Sequence, residues 1–171
     1  LTADSGDTEK VAEIIAECKR MGIAVLPPDV NESYGGFTIV DPSPESGKIR
    51  FGFYTIKNFG TGVADSIIAE RGRGGAYTSL QDFLERVHDR TLNRKSLEAL
   101  ILSGALDSLG ERGAMMANIE QLLSYNRDHS RESAAQASLF SLMSDSSSVP
   151  QLRLVDAPAM TANLRYGPGY R

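Results

Sequence analysis

The sequence predicts a mainly α protein with a small β-hairpin, an α+β chain that ends in a flexible linker. Three observations carry this reading. Apolar residues recur at helical spacing in five separate segments between Thr8 and Asn126. Between the first and second of these, Ile49, Phe51 and Phe53 alternate after a connector rich in Pro and Ser. Beyond Asp128, large apolar residues thin out and Ser and Ala dominate.

The first helix is expected from Asp7 or Thr8 to Met21. A capping residue opens it, Val11, Ile14, Ile15, Cys18 and Met21 share one face, and Gly22 closes it. Residues 23–26 read as a short apolar strand that Pro27 and Pro28 stop, because neither proline can donate a ladder hydrogen bond. Residues 29–33 follow as a polar turn. Residues 36–40 and 48–53 then read as the two strands of the hairpin.

Residues 56–72 carry the most chemistry. Gly60 and Gly62 make a Gly-x-Gly turn against a helix whose apolar stripe is Val63, Ile67 and Ile68. Glycines can take φ > 0 and admit a ligand close to the backbone, and the unpaired N–H groups of a helix start attract anions. That shape suits a phosphate. A packing turn that binds nothing has the same sequence, so both readings stand at this point. The glycine-rich link at residues 72–75 lacks the Gly-Lys-Ser/Thr ending of a P-loop and reads as a loop.

Thr78-Ser-Leu-Gln81 fits a capping box before a helix with Leu80, Phe83, Leu84 and Val87 inward. A further helix starts near Asn93 or Arg94, buries Leu97, Leu100 and Ile101, and turns at Ser103-Gly104 into residues 105–109. This second turn has one glycine, so structural packing is its leading role. The last predicted helix, residues 113–126, uses Met115, Ile119, Leu122 and Leu123. The Ser- and Ala-rich linker beyond it holds one apolar island, Gln136-Ala-Ser-Leu-Phe140, which suggests a docking peptide.

Composition narrows the function classes. The chain has 171 residues, 41% of them hydrophobic and 23% charged, as in ordinary globular proteins. No apolar run approaches the roughly 18 residues of a membrane helix, and no signal-peptide order opens the chain, so a cytoplasmic protein without membrane contact is expected. One Cys and two distant His offer neither a disulfide nor a zinc site. The net charge is −4, yet the stretch from Arg71 to Lys95 holds six bases against three acids. A modest phosphate-facing surface or a solvated helix face is possible there.

Taken in order, these features resemble one family. The Phe59, Gly60, Gly62, Ala64, Ile67, Ile68 pattern resembles the hairpin of a helix-hairpin-helix element. Residues 5–10 (Ser-Gly-Asp-Thr-Glu-Lys) and 26–33 (Leu-Pro-Pro-Asp-Val-Asn-Glu-Ser) look like the end of the fingers region of the bacterial DNA polymerase III α subunit. Ile49-Arg-Phe-Gly52, Ile56-Lys57, Tyr77-Thr-Ser-Leu80, Asp82-Phe83, Leu97-Glu-Ala-Leu-Ile101 and Gly104-Ala-Leu-Asp107 continue that family's helix-hairpin-helix segment, to about residue 143. The resemblance implies three parts. Residues 1–50 are the end of the fingers with the start of the β-hairpin, residues 51–128 a tandem helix-hairpin-helix DNA-binding domain, and residues 129–171 a flexible linker with a clamp-binding-like peptide.

The resemblance also implies an activity and partners. The family adds deoxynucleotides to a primer with two magnesium ions held by palm carboxylates. No Asp-x-Asp pair occurs in this chain, so no catalytic or metal-binding residue is expected here, and this piece alone should be inactive. Double-stranded DNA is the expected partner, held at Lys57, Asn58, Gly60, Thr61, Gly62 and Val63, with Asn93, Arg94, Lys95 and Gly104 as candidates in the second element. Gln136, Leu139 and Phe140 match the peptide by which the family's α subunit engages the β sliding clamp, and other holoenzyme subunits are implied with it. Residues 164–171 depart from the family pattern, which suggests truncation or a shifted frame. Two other classes compete, a stand-alone helix-hairpin-helix module of a repair factor and a helical domain whose turns bind nothing.

Overall fold

Thirteen residues, Thr8–Arg20, form α1 and turn Val11 and Cys18 inward. Cys18 is thus the buried small hydrophobe its position on the stripe suggested. Gly22, at φ 76°, reverses the chain into β1 (Ala24–Leu26). The structure, a computed structural model, describes residues 8–40, 47–87, 92–139 and 152–155.

The expected hairpin is present with a third member. β2 (Thr38–Val40) pairs antiparallel with β3 (Lys48–Arg50), and β1 adds to the other edge of β3 in parallel, giving the order β1-β3-β2. β3 stops at Arg50 rather than running to Phe53. The reason lies at Gly52, whose backbone presses on Gly35 and Gly36 so closely that a Cβ would overlap their atoms. The chain there breaks into a single 3-10 turn, Phe53–Thr55. Phe51 and Phe53 are both buried but meet different partners, Phe37 at 4.8 Å and Phe59 at 5.9 Å between ring centroids.

Five further helices build the larger core. They are α2 (Thr61–Gly74), α3 (Leu80–Arg86), α4 (Arg94–Ser103), α5 (Arg112–Ala117) and α6 (Ile119–Leu139). One apolar cluster runs through them, with Ile67, Phe83, Leu84, Leu97, Leu100, Leu106, Met115 and Leu122 fully buried. The cap of α3 is Ser79, one residue later than expected; its side chain accepts from Asp82 N at 3.0 Å while Asp82 reaches back to Thr78 N at 2.9 Å. The expected single helix over residues 113–126 divides at Asn118, which closes α5 through Ala114. α6 then runs past Asn126 to Leu139, so the first part of the expected linker is helical in backbone.

Residues 29–33 join the two cores. Asn31 N–H bonds to the Asp29 carboxylate at 2.7 Å, the local turn that Asp and Asn favour. Val30 is fully buried in the helical cluster, and its N–H donates to Ala105 O at 2.9 Å. Asn31 pairs with the backbone of Tyr77 in both senses, Nδ2 to O at 3.0 Å and Oδ1 from N at 2.7 Å. Ser33, also fully buried, donates to Phe51 O at 2.7 Å. Arg71 on α2 donates to the carbonyls of Val30 and Ser33, both at 2.9 Å, and stacks over Tyr34.

Two outcomes follow from this junction. Asn31→Ala leaves the Tyr77 N–H and C=O without their partner and should cost about 2 to 3 kcal/mol in urea unfolding. Burial, opposed by the Arg86 guanidinium, pushes the Tyr77 phenol up to about 12 while its O–H donates to Ile67 O at 2.9 Å. The folded pKa is raised above the unfolded value, so this contribution is intact below about pH 10 and is lost as the pH rises toward 12. Tyr77→Phe should flatten that alkaline limb of the stability profile.

Candidate nucleic-acid interface

The start of α2 is built by the turn before it. Ile56 is buried, Phe59 N–H returns to Ile56 O at 3.2 Å, and Asn58 between them takes φ 65°. Neither Gly60 nor Gly62 carries the positive φ expected of the Gly-x-Gly pattern; Gly60 is extended, at φ −76° and ψ 144°. Asn tolerates the left-handed region better than other side chains, which is the signal that could have pointed to residue 58. The open space around Gly60 has another use, since a Cβ there would meet nothing within 4 Å.

Gly60 is the cap residue of α2 and offers no side chain to its first turn, which also holds no acid. The first return bond is Ala64 N–H to Gly60 O at 3.2 Å, so the amides of Thr61, Gly62 and Val63 lie ahead of the helical ladder. Three other helix starts are closed by side chains: Ser79 caps α3, Asn93 caps α4 and Glu111 caps α5. Lys57, Asn58, Gly60, Thr61 and Gly62 are exposed, whereas the Val63 side chain is buried with Ala64 and Ile67. An exposed, uncapped helix start with a nearby lysine favours an anion by about 0.3 to 1 kcal/mol at low salt.

The second turn differs. Asn93 and Ser96 form a reciprocal capping box, so the Asn93 side chain is spent on α4. Arg94 pairs with Glu120, while Lys95 is exposed with no partner among the described residues. Gly104 ends α4 in the left-handed region at φ 85°, and a Cβ there would strike Arg112, itself paired with Asp107. Gly104 is buried, so its glycine serves helix closure and close packing. The carboxylate of Glu111 closes the start of α5, accepting from Ala114 N at 2.7 Å.

The basic stretch from Arg71 to Lys95 is mostly consumed inside the fold. Arg71 holds residues 30 and 33, Arg73 pairs with Glu70, and Arg86 bonds Asp82 at 3.1 Å and Gly75 O at 2.9 Å while stacking over Tyr77. Arg90 lies outside the described residues. Among the described residues, Lys57 and Lys95 are therefore exposed cations beside the two turns that make no ion pair, with Arg94 exposed but paired to Glu120. Gln136 and Leu139 fall on α6, and Phe140 lies outside the described residues. Among the described residues no three His, Cys, Asp or Glu side chains are grouped to hold a metal.

Residues 22–115, which include both turns, match the helix-hairpin-helix motif family. The chain belongs to the helix-hairpin-helix family. It is 35% identical over 167 residues, 96% of its length, to DNA polymerase III subunit alpha of Vibrio cholerae. It is 42% identical over 72% of its length to the protein of that name from Thermus aquaticus, and 38% over 85% to that from Escherichia coli. The expected kinship with bacterial DNA polymerase III α subunits is thereby borne out. The chain spans 14%, 10% and 12% of these three relatives.

The first helix-hairpin-helix turn is therefore the open one and the second is closed by its own side chains. Gly104→Ala should destabilise the fold by about 2 kcal/mol, through left-handed strain and displacement of Arg112. Gly60→Ala, at an extended φ with open space, should change thermal stability by about 1 kcal/mol at most, since the poorer cap is offset by lost freedom of the unfolded chain. Paired melting curves check both.

Proposed function

We infer that this chain is the part of a DNA polymerase III α subunit that holds duplex DNA without reading its sequence. The observation that carries the reading is the uncapped start of α2, with Gly60, Thr61 and Gly62 exposed and Lys57 beside it. Backbone amides bond phosphate oxygens equally well over any base, which fixes the position of a duplex and leaves it able to slide. Asn58 shapes that turn. In the second element Lys95 and Arg94 contribute charge, Asn93 holds the helix that carries them, and Gly104 holds its far end.

The same reading places polymerase chemistry, with its magnesium ions, elsewhere in a longer polypeptide and leaves this chain inactive alone. Residues 1–50 correspond to the end of a fingers region, residues 51–128 to the tandem helix-hairpin-helix domain, and residues 129–171 to a connecting segment. Gln136, Leu139 and Phe140 supply a docking peptide for the β sliding clamp, within a replication assembly that includes other polymerase III subunits. A cytoplasmic setting accords with this role. No described helix is long and apolar enough to cross a membrane. The near-complete colinear match to polymerase α subunits favours this over a stand-alone repair module.

Binding of a short duplex should be weak and equal for unrelated sequences. Its logarithm should fall with log salt at a slope of about −1 to −3, as for one to three phosphates. Gly62→Val, which places a branched side chain at the exposed first turn, should weaken binding about 3- to 10-fold with the fold intact by circular dichroism. Absence of duplex binding by the unaltered chain at low salt contradicts the assignment. For the peptide, pull-down of β clamp should be lost on changing Leu139 and Phe140 to Ala, and undiminished capture would refute the clamp contact.

A further inference from the structure

Residues 152–155 lie across the junction of α5 and α6 as an extended strip. Asn118 reads both backbone groups of Val155, with Nδ2 donating to O at 2.9 Å and Oδ1 accepting from N at 3.0 Å. One turn along α6, Gln121 Nε2 donates to Arg153 O at 3.0 Å. Leu152 and Leu154 are half-buried against the helical core, while Arg153 and Val155 are exposed. That alternation is the period of an extended chain. The three polar contacts go to main-chain groups, so the ledge recognises an extended backbone with aliphatic residues at alternate positions.

Asn118 is committed to this ledge from its other side as well. It is buried at the break between the two helices, and its Nδ2 also bonds Ala114 O at 2.7 Å. An amide fixed in this way presents its remaining donor and acceptor without further ordering cost, which favours capture of a strand that has no sheet partner.

We propose that the Asn118–Gln121 ledge is a docking site for the chain's own residues 152–155, a strap that ties the segment after α6 back to the head of that helix. The 21 residues of α6 span about 30 Å, so Leu139 at the far end and Leu152 near the head are held roughly 25 Å apart. The strap thereby fixes where residues 152–155 lie relative to Gln136 and Leu139 on α6. Reading those two residues as part of a β-clamp peptide rests on the function proposed above; the strap does not.

Amide hydrogen exchange on the full chain tests this. The Val155 N–H should exchange at least about ten-fold more slowly than in an unfolded chain. Asn118→Ala with Gln121→Ala should return it to the free-chain rate while the Leu97 N–H stays protected. Leu154→Ser, which leaves the ledge untouched, should do the same. A Val155 amide that exchanges freely in the unaltered chain overturns the strap, and slow exchange that survives both variants overturns the assignment of its ledge. In parallel, strap release should change β-clamp affinity at least three-fold. Failure of the unaltered chain to bind clamp would reject the clamp reading, with the exchange data still deciding the strap.

Discussion

The turn at residues 29–33, which buries Val30 and Ser33, is the constraint on which the rest depends. Within five residues it bonds the end of β3 through Ser33, α2 through Arg71, the entry to α3 through Asn31 and the second hairpin through Val30. A turn set partly into the core would be costly if its buried polar groups were unpaired, and here partners from four distant segments satisfy them. The small sheet and the helical core are thereby held as neighbours. The orientation of α2, whose start is the candidate interface, is fixed by Arg71 near its end.

That arrangement explains why the interface has so little charge of its own. Arg71 is drawn into the junction, where it bonds two carbonyls and stacks on Tyr34, and Arg86 is drawn onto the end of α2, where it bonds the carbonyls of Glu70 and Gly75 and stacks on Tyr77. What remains outside is mostly backbone: the first amides of α2, framed by exposed glycines, with one lysine nearby. Backbone donors hold a phosphate at a fixed distance and discriminate nothing about the base, which is the property the proposed duplex-holding role needs. The second hairpin has taken the other course, closing its helix starts with Asn93 and Glu111. The two turns are similar in fold and unequal in what they leave open.

Much of this was legible in the sequence where the signal is local. The apolar stripes of α3 and α4, the stop at Pro27 and Pro28 and the burial of Val11 and Cys18 follow from spacing and cap chemistry. Met21, expected on the inward face of α1, instead lies beyond that helix and is exposed, because the chain turns at Gly22 before the next apolar segment. Long-range partners were not legible: nothing near Asn31 announces Tyr77, and nothing near Arg71 announces two carbonyls some 40 positions away. The Gly-x-Gly pattern marked the uncapped start of α2 for an incomplete reason, since Asn58 takes the left-handed conformation and the glycines leave the helix start open. The extent of α6 was hidden by composition. Residues 130–139 lack a large apolar stripe, yet their Arg, Glu, Ala, Gln and Leu are good helix formers, and α6 continues on that propensity.

The central claim is that the first amides of α2 receive a phosphate of duplex DNA. A titration of the uniformly ¹⁵N-labelled full chain with a short duplex at low salt tests it most directly, by following each backbone amide. The account predicts that the largest shifts fall on Thr61, Gly62 and Val63 with those of Lys57 and Asn58 beside them, and that they recede as salt is added. Shifts confined to other surfaces, or none at a duplex concentration that saturates binding, would contradict it.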